Sequence, residues 1–263
     1  NSMPKDADVK DPYASLKGAQ SLMRALDILD QVINGPVKSA DLARNLDLTR
    51  STTHRLAQAL RARDYLAITP DGYSLGPKLL QLGSMAQEQT DYVRLARPHL
   101  EALSAETGYC VFLGKREGDW SRHLDRVTGR QRLRVATAPG DRRLIVETGI
   151  GKALLLDQSE DALTKLFQAE KPQASAKKLK DWLDGMRENR ARGVVLHESE
   201  AGDFVRSVAA PVRNDKGNIV VAISIAGAAA YLTDKVLEEL AGPVQAAAAS
   251  IGASLGYRAS TSD

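Results

Sequence analysis

The chain is 263 residues long, 43% hydrophobic and 26% charged, with a formal net charge of +3; this supplies apolar material for two packed domains and a positive balance too small to name a partner. A single cysteine, Cys110, excludes an internal disulfide or a cysteine-built zinc finger and fits a reducing, cytoplasmic setting. The uncharged apolar run Ile219 to Leu232 is shorter than the ~20 apolar residues of a membrane-spanning helix, and no basic stretch followed by an apolar core opens the chain, so neither a membrane span nor a signal peptide is expected.

Residues 1–17 are polar and read as a flexible tail. From Gln20 the spacing of Leu22, Leu26, Leu29 and Ile33 predicts a helix with these residues on its inner face, stopped by Asn34-Gly35-Pro36. Ser39 is expected to cap a short second helix that turns Leu42, Ala43 and Leu46 inward and ends near Asp47. Thr49 or Ser51 caps a third, which buries Thr53, Leu56 and Leu60 and runs to Arg63. Tyr65–Thr69 and Tyr73–Leu75, joined by Pro70-Asp71-Gly72, read as a β-hairpin. These elements make a first domain over 18–77, and a linker helix is expected over 78–97, ending before Pro98.

A second domain is expected over 98–258, with a short tail at 259–263. Helices are predicted at 99–106, 151–156, 161–169, 177–192, 233–240 and 244–257, and strands at 109–114, 194–197, 207–212 and 219–226, with one or two more within 122–138. Asn214-Asp215-Lys216-Gly217-Asn218 is a dense turn signal and implies an antiparallel hairpin. The fold class is therefore α/β of the α+β kind, with a mainly antiparallel sheet.

A short helix, a tight turn and a second helix with a polar start is the geometry that lays one helix in the DNA major groove. With Thr53, Leu56 and Leu60 turned inward, Arg50, Ser51, Thr52, His54 and Arg55 remain for base edges and phosphates. Ser39, Thr69 and Tyr73, on the preceding helix and the hairpin, complete the candidate DNA-facing set. From Arg44 to Arg63 five arginines stand against one acid, Asp47, a local imbalance that favours phosphate.

Several stretches, "SLMRALDILD", "SADLARNLDLTRSTTHRLAQALRARDYL" and "YSLGPKLLQLG" in the first domain and "TGIGKALLL", "RENRARGVVLHESE" and "VRSVAAPVRNDKGNIVVAISIAG" in the second, resemble the IclR family of bacterial transcriptional regulators. The resemblance runs from about Gln20 to Tyr257. It implies a winged helix-turn-helix domain, a linker helix and a GAF-like effector domain, assembled as dimers and often as dimers of dimers. It also implies promoter binding to double-stranded DNA under control of a small molecule. The stretches matching the family's effector pocket contribute Val135, Leu144, Thr148, Gly149, His197, Ser207, Ser224 and Ala226. His197 replaces a frequent acid, Ser207 a frequent cysteine, Ile150 a common serine and Ala226 a second serine, so the effector need not be one that a relative binds. Nine basic residues against four acidic ones between Lys115 and Arg143 favour an anionic effector, an aromatic or sugar-derived carboxylate.

The competing class is a metabolite-binding enzyme with a GAF-like pocket. Gly252-Ala253-Ser254-Leu255-Gly256 has nucleophile-elbow spacing but lies in a helical stretch with no histidine after it. Gly149-Ile150-Gly151-Lys152 resembles part of a phosphate loop, yet Val146 stands where the first glycine belongs and Ala153 where a hydroxyl does. The four histidines lack metal-ligand spacing. No catalytic residue, metal or cofactor is expected.

Overall fold

The computed structural model describes residues 18–130 and 138–259, and the chain divides between Thr90 and Asp91 into two compact units. The first comprises α1 (Gln20–Gln31), α2 (Ser39–Asn45), α3 (Arg50–Ala62), the hairpin β1 (Leu66–Thr69) and β2 (Gly72–Leu75), and α4 (Pro77–Glu88). Ile28, Val32, Leu42, Leu56, Ala57, Leu66 and Tyr73 form its core. Gly72 is needed at the turn: its φ is +131°, and a Cβ there would stand 2.4 Å from the Val37 carbonyl oxygen. The approach is that close because Val37 and Tyr73 exchange two backbone hydrogen bonds of 2.9 Å, tying the hairpin to the segment before α2.

Packing and capping overturn two local expectations and resolve one open alternative. The inner stripe of α1 is Ile28 and Val32, flanked by Ala25 and Leu29, whereas Leu22 is 61% exposed and Leu26 and Ile33 also face solvent. Both stripes obey helical spacing, and packing against α3 selects one of them. Ser39 is not a cap but the first residue of α2, whose N-cap position is Lys38 with no side-chain hydrogen bond. Of the two candidates for α3, Thr49 is the cap, its hydroxyl accepting from the Thr52 amide at 3.2 Å.

The second unit is built on a six-stranded antiparallel sheet in the order β5-β4-β3-β8-β7-β6. Its strands are β3 (Cys110–Glu117), β4 (Trp120–Val127), β5 (Arg142–Leu144), β6 (Val195–Glu198), β7 (Val205–Arg213) and β8 (Ile219–Ala228). One face packs Val111, Leu113, Val208, Val221, Ile223 and Ile225 against α5 (Tyr92–Thr107) and α9 (Asp234–Ser254). The other carries Cys110, Phe112, Val195, Ala209 and Ala226 toward α6 (Gly149–Leu154), α7 (Glu160–Glu170) and α8 (Ala176–Arg192). The period-two alternation of the strands thus separates two cores, one on each face.

The linker helix expected over 78–97 is two helices. Asp91 accepts from the Arg94 amide at 3.1 Å and starts α5 afresh. Pro98 then lies inside α5 rather than ending a helix, and Pro243 likewise lies inside α9, which replaces two expected helices with one. An internal proline costs about 3 kcal/mol. Burial of Ala96, Leu100 and Leu103 around Pro98, and of Leu240, Val244 and Ala248 around Pro243, offsets it.

Candidate nucleic-acid interface and effector cavity

At the start of α3 the Thr49 hydroxyl gathers its neighbours: it lies 2.9 Å from the Thr52 hydroxyl and 3.2 Å from that of Ser51. Thr53 is fully buried, and its hydroxyl is satisfied by the Thr49 carbonyl at 3.0 Å. This fixes which way the helix faces. Arg50, Ser51, His54 and Arg55 are exposed and Thr52 is half-buried. Arg50, Arg55, Arg61 and Arg63 form no ion pair or hydrogen bond with other described residues, whereas Arg44 is paired with Asp41 at 2.5 Å. The cationic face of α3 is therefore uncompensated.

The remaining candidates differ. Ser39 is half-buried at the start of α2. Thr69 is engaged in its own turn, donating to the Gly72 carbonyl at 3.0 Å and accepting from the Asp71 amide at 3.3 Å. Tyr73 is a core residue, 5% exposed, whose hydroxyl accepts from Gln58 at 3.4 Å. It is withdrawn from the DNA-facing set, because the pairing with Val37 turns its ring inward.

In the second unit a concavity of about 550 Å³, including its open mouth, lies on the α6 side of the sheet. Strand register builds it. His197 pairs with Ser207 and Ser207 with Ala226, while Ala209 pairs with Ser224 and Ser224 with Phe112, so these side chains share one face in two adjacent rows. Of the residues that the family resemblance singled out, Thr148, Gly149, His197, Ser207, Ser224 and Ala226 line this cavity. Leu144 is not among the lining residues, because it sits at the end of edge strand β5, paired with Trp120. Val135 lies outside the described residues.

Sequence reasoning missed Phe112, His123, Arg143, Glu147, Ser199, Asp203 and Val205, and named Ile150 only as the replacement of a common serine. Val205 was reachable by alternation from Ser207, and Arg143 closes the basic stretch that begins at Lys115. His123 had no signal, since an isolated histidine points nowhere until β4 is registered against β3.

The chemistry of the wall is unusual in what it leaves unpaired. Ser207 and Ser224, both nearly buried, make no hydrogen bond with other described residues, and neither does the guanidinium of Arg143. Burial pushes His123 down to about 4 and His197 to about 3, the latter aided by Lys152 and Arg143, so both rings are neutral at pH 7. The Nδ1 atom of each is sealed from solvent without a partner among the described residues. Glu147, in contrast, is neutralised by Lys171 at 2.6 Å. The Thr148 hydroxyl is spent on capping α6, accepting from the Gly151 amide at 2.9 Å, and lies 3.2 Å from that of Ser121. Among the described residues no group of three or more His, Cys, Asp or Glu could hold a metal ion. Ser254 lies at the end of α9 rather than on a strand-to-helix elbow, and its hydroxyl donates back along the helix to the Ser250 carbonyl at 3.2 Å.

A family model described as the IclR helix-turn-helix domain matches residues 21–69, and one described as the C-terminal part of the bacterial transcriptional regulator IclR matches residues 85–253. The chain belongs to the IclR family of bacterial transcriptional regulators. It is 27% identical over 248 residues to the HTH-type transcriptional regulator XynR of Escherichia coli K12, covering 91% of this chain and 98% of that one. It is 29% identical over 238 residues to BhcR of Paracoccus denitrificans, covering 88% and 85%. The crystal structure of the Agobacterium tumefaciens repressor BlcR superposes with a TM-score of 0.76 at 26% identity, covering 92% of this chain and 99% of that one. These IclR-family relatives are transcriptional regulators, not enzymes. No helix among the described residues is long and apolar enough to cross a membrane.

Proposed function

We propose that this IclR-family protein binds a promoter in the cytoplasm as a homodimer, and that an organic acid held in the second unit controls that binding. The unpaired cationic face of α3 carries the reading. Arg50, His54 and Arg55 reach base edges in the major groove, while Ser39, Lys38 and Arg61 meet phosphates. Exposed Leu22 and Leu26 on α1 and Leu80, Leu82 and Met85 on α4 support pairing with a second copy, since a lone soluble domain rarely leaves so many large apolar side chains in water. A dimer of dimers, joined through GAF-like effector domains, belongs to the same proposal.

Arg143, Ser207 and Ser224 support the effector class. A guanidinium and two hydroxyls without partners among the described residues, beside two neutral imidazoles, make a site for a carboxylate and its polar substituents. The test is fluorescence anisotropy with a duplex covering the region upstream of the protein's own gene, titrated with salt. Affinity should fall steeply as salt rises, and 4-hydroxybenzoate or gluconate should shift it. Binding indifferent to salt and to both acids would refute the reading.

A further inference from the structure

The turn from β6 to β7, Ser199 to Phe204, borders the cavity, and Ser199, Asp203 and Val205 line it. Phe204, between two lining residues, does the opposite: its side chain is 78% exposed. Its φ is +54°, a left-handed value that costs a non-glycine residue, and Gly202 two positions earlier is also left-handed at +74°. The Ala229 amide holds the strained residue outward by donating to its carbonyl at 2.7 Å.

A second observation concerns charge. Lys152, on α6 two residues past Ile150 of the cavity wall, is largely buried yet makes no hydrogen bond or ion pair with other described residues. Burial lowers its pKa, and the acid acting in the opposite direction is Glu200, on the same turn as Phe204. The pair is near enough to attract and too far apart to touch. Hydroxyl supply is the third. Thr148 is spent on its cap and Ser199 accepts from the Ala201 amide at 3.3 Å, which leaves Ser207 and Ser224 as the free hydroxyls of a wall whose other polar groups are charged or imidazole and whose apolar side is Phe112, Ile150, Val205 and Ala226.

We propose that the 199–204 turn is a lid: Phe204 leaves its strained conformation and lays its ring across the mouth as Glu200 closes onto Lys152, over an organic acid with a flat apolar body rather than a polyhydroxylated one. The inference rests on the effector reading above and names its ligand class. An empty cavity keeps the lid open, because closing over a void would give the ring nothing to touch. A flat ligand fills that gap and supplies the contact the ring lacks; added to relief of strain and the new ion pair, which do not depend on ligand, it tips the turn to the closed state. A sugar-derived acid, hydroxylated along its whole length, would instead press hydroxyls onto Phe112, Ile150, Val205 and Ala226, which offer them no partner.

The test uses the full chain with 4-hydroxybenzoate and gluconate as probes, read by thermal shift and by chymotrypsin, which cuts after exposed aromatic residues. The first acid should stabilise the protein and protect the Phe204–Val205 bond several-fold, while cleavage after exposed Tyr231 stays unchanged as an internal reference. Phe204→Ala and Glu200→Lys should each weaken 4-hydroxybenzoate by about fivefold or more, and combining Glu200→Lys with Lys152→Glu should restore it. If both single variants bind as the wild type does while Arg143→Gln does not, the lid is refuted and the effector reading stands. Stabilisation by gluconate with unchanged cleavage refutes the apolar-bodied ligand. If neither acid stabilises the wild type, the organic-acid reading fails and the lid with it.

Discussion

The Cβ that Gly149 lacks would lie 2.3 Å from the Ser207 hydroxyl oxygen. The first residue of α6 therefore presses on Ser207, one of the cavity's two free hydroxyls, and the glycine is required by that approach, not by an unusual φ. Gly149→Ala should lower stability by about 1–3 kcal/mol through overpacking and abolish stabilisation by organic acids. Adding Ser207→Ala removes the clashing atom and should recover most of the stability but not the ligand response. Thermal melts of the two single variants and the double variant check this, and simple additivity would show that the clash is not the cause.

Arg50→Ala and Arg55→Ala should weaken operator binding while leaving the melting temperature unchanged, since both side chains are exposed and unpaired. Removing an arginine that grips phosphate reduces the salt slope by about 1, whereas removing one that reads a base costs about 1–3 kcal/mol at a single position of the site. Anisotropy titrations at several salt concentrations separate the two roles. An unaltered affinity in both variants would remove α3 as the reader.

Arg143→Gln should eliminate the response to carboxylates without unfolding the chain, because the guanidinium holds no ion pair among described residues whose loss would matter. Isothermal titration with 4-hydroxybenzoate reads the effect. Retained affinity would place the anion elsewhere.

Acid should destabilise the second unit through its histidines. Folded pKa values of about 4 for His123 and about 3 for His197 lie below the ordinary 6.5, so the unfolded chain binds more protons as pH falls below 6.5. The stability that neutral burial confers is complete above that value and is lost progressively down to pH 3–4, about 2 kcal/mol per histidine by pH 5. Glu170 acts in the opposite sense. Burial pushes it up to about 7 against the pull of the Val146 amide, so the folded protein is the better proton binder between 4.5 and 7. Denaturant titrations across pH are therefore best made on Glu170→Gln with and without His197→Asn, and the asparagine should flatten the acid limb. An unchanged limb would show that His197 charges freely in the folded state.

Leu80→Glu should shift the protein toward monomer in sedimentation velocity and weaken operator binding, because Leu80 is 78% exposed on α4 and available to a second copy. A dimer that survives this change would assign pairing to another surface.

Local rules were sufficient for much of this chain. The three-helix order and the hairpin turn at Pro70-Asp71-Gly72 follow from caps and apolar spacing, and the strand pair around Asn214–Asn218 follows from turn chemistry and alternation; these are properties of neighbours along the chain. Six residues of the cavity wall were named from family resemblance before their register was known. What tertiary structure alone decided was which of two equally periodic stripes α1 buries, that Pro98 and Pro243 lie within helices, that Tyr73 turns inward, and that His123, Arg143 and Asp203 meet around one space. In each case the deciding energy comes from partners distant in sequence. Core burial outweighs a proline's missing hydrogen bond, and the pairing of β3, β8, β7 and β6 gathers side chains that no local pattern links.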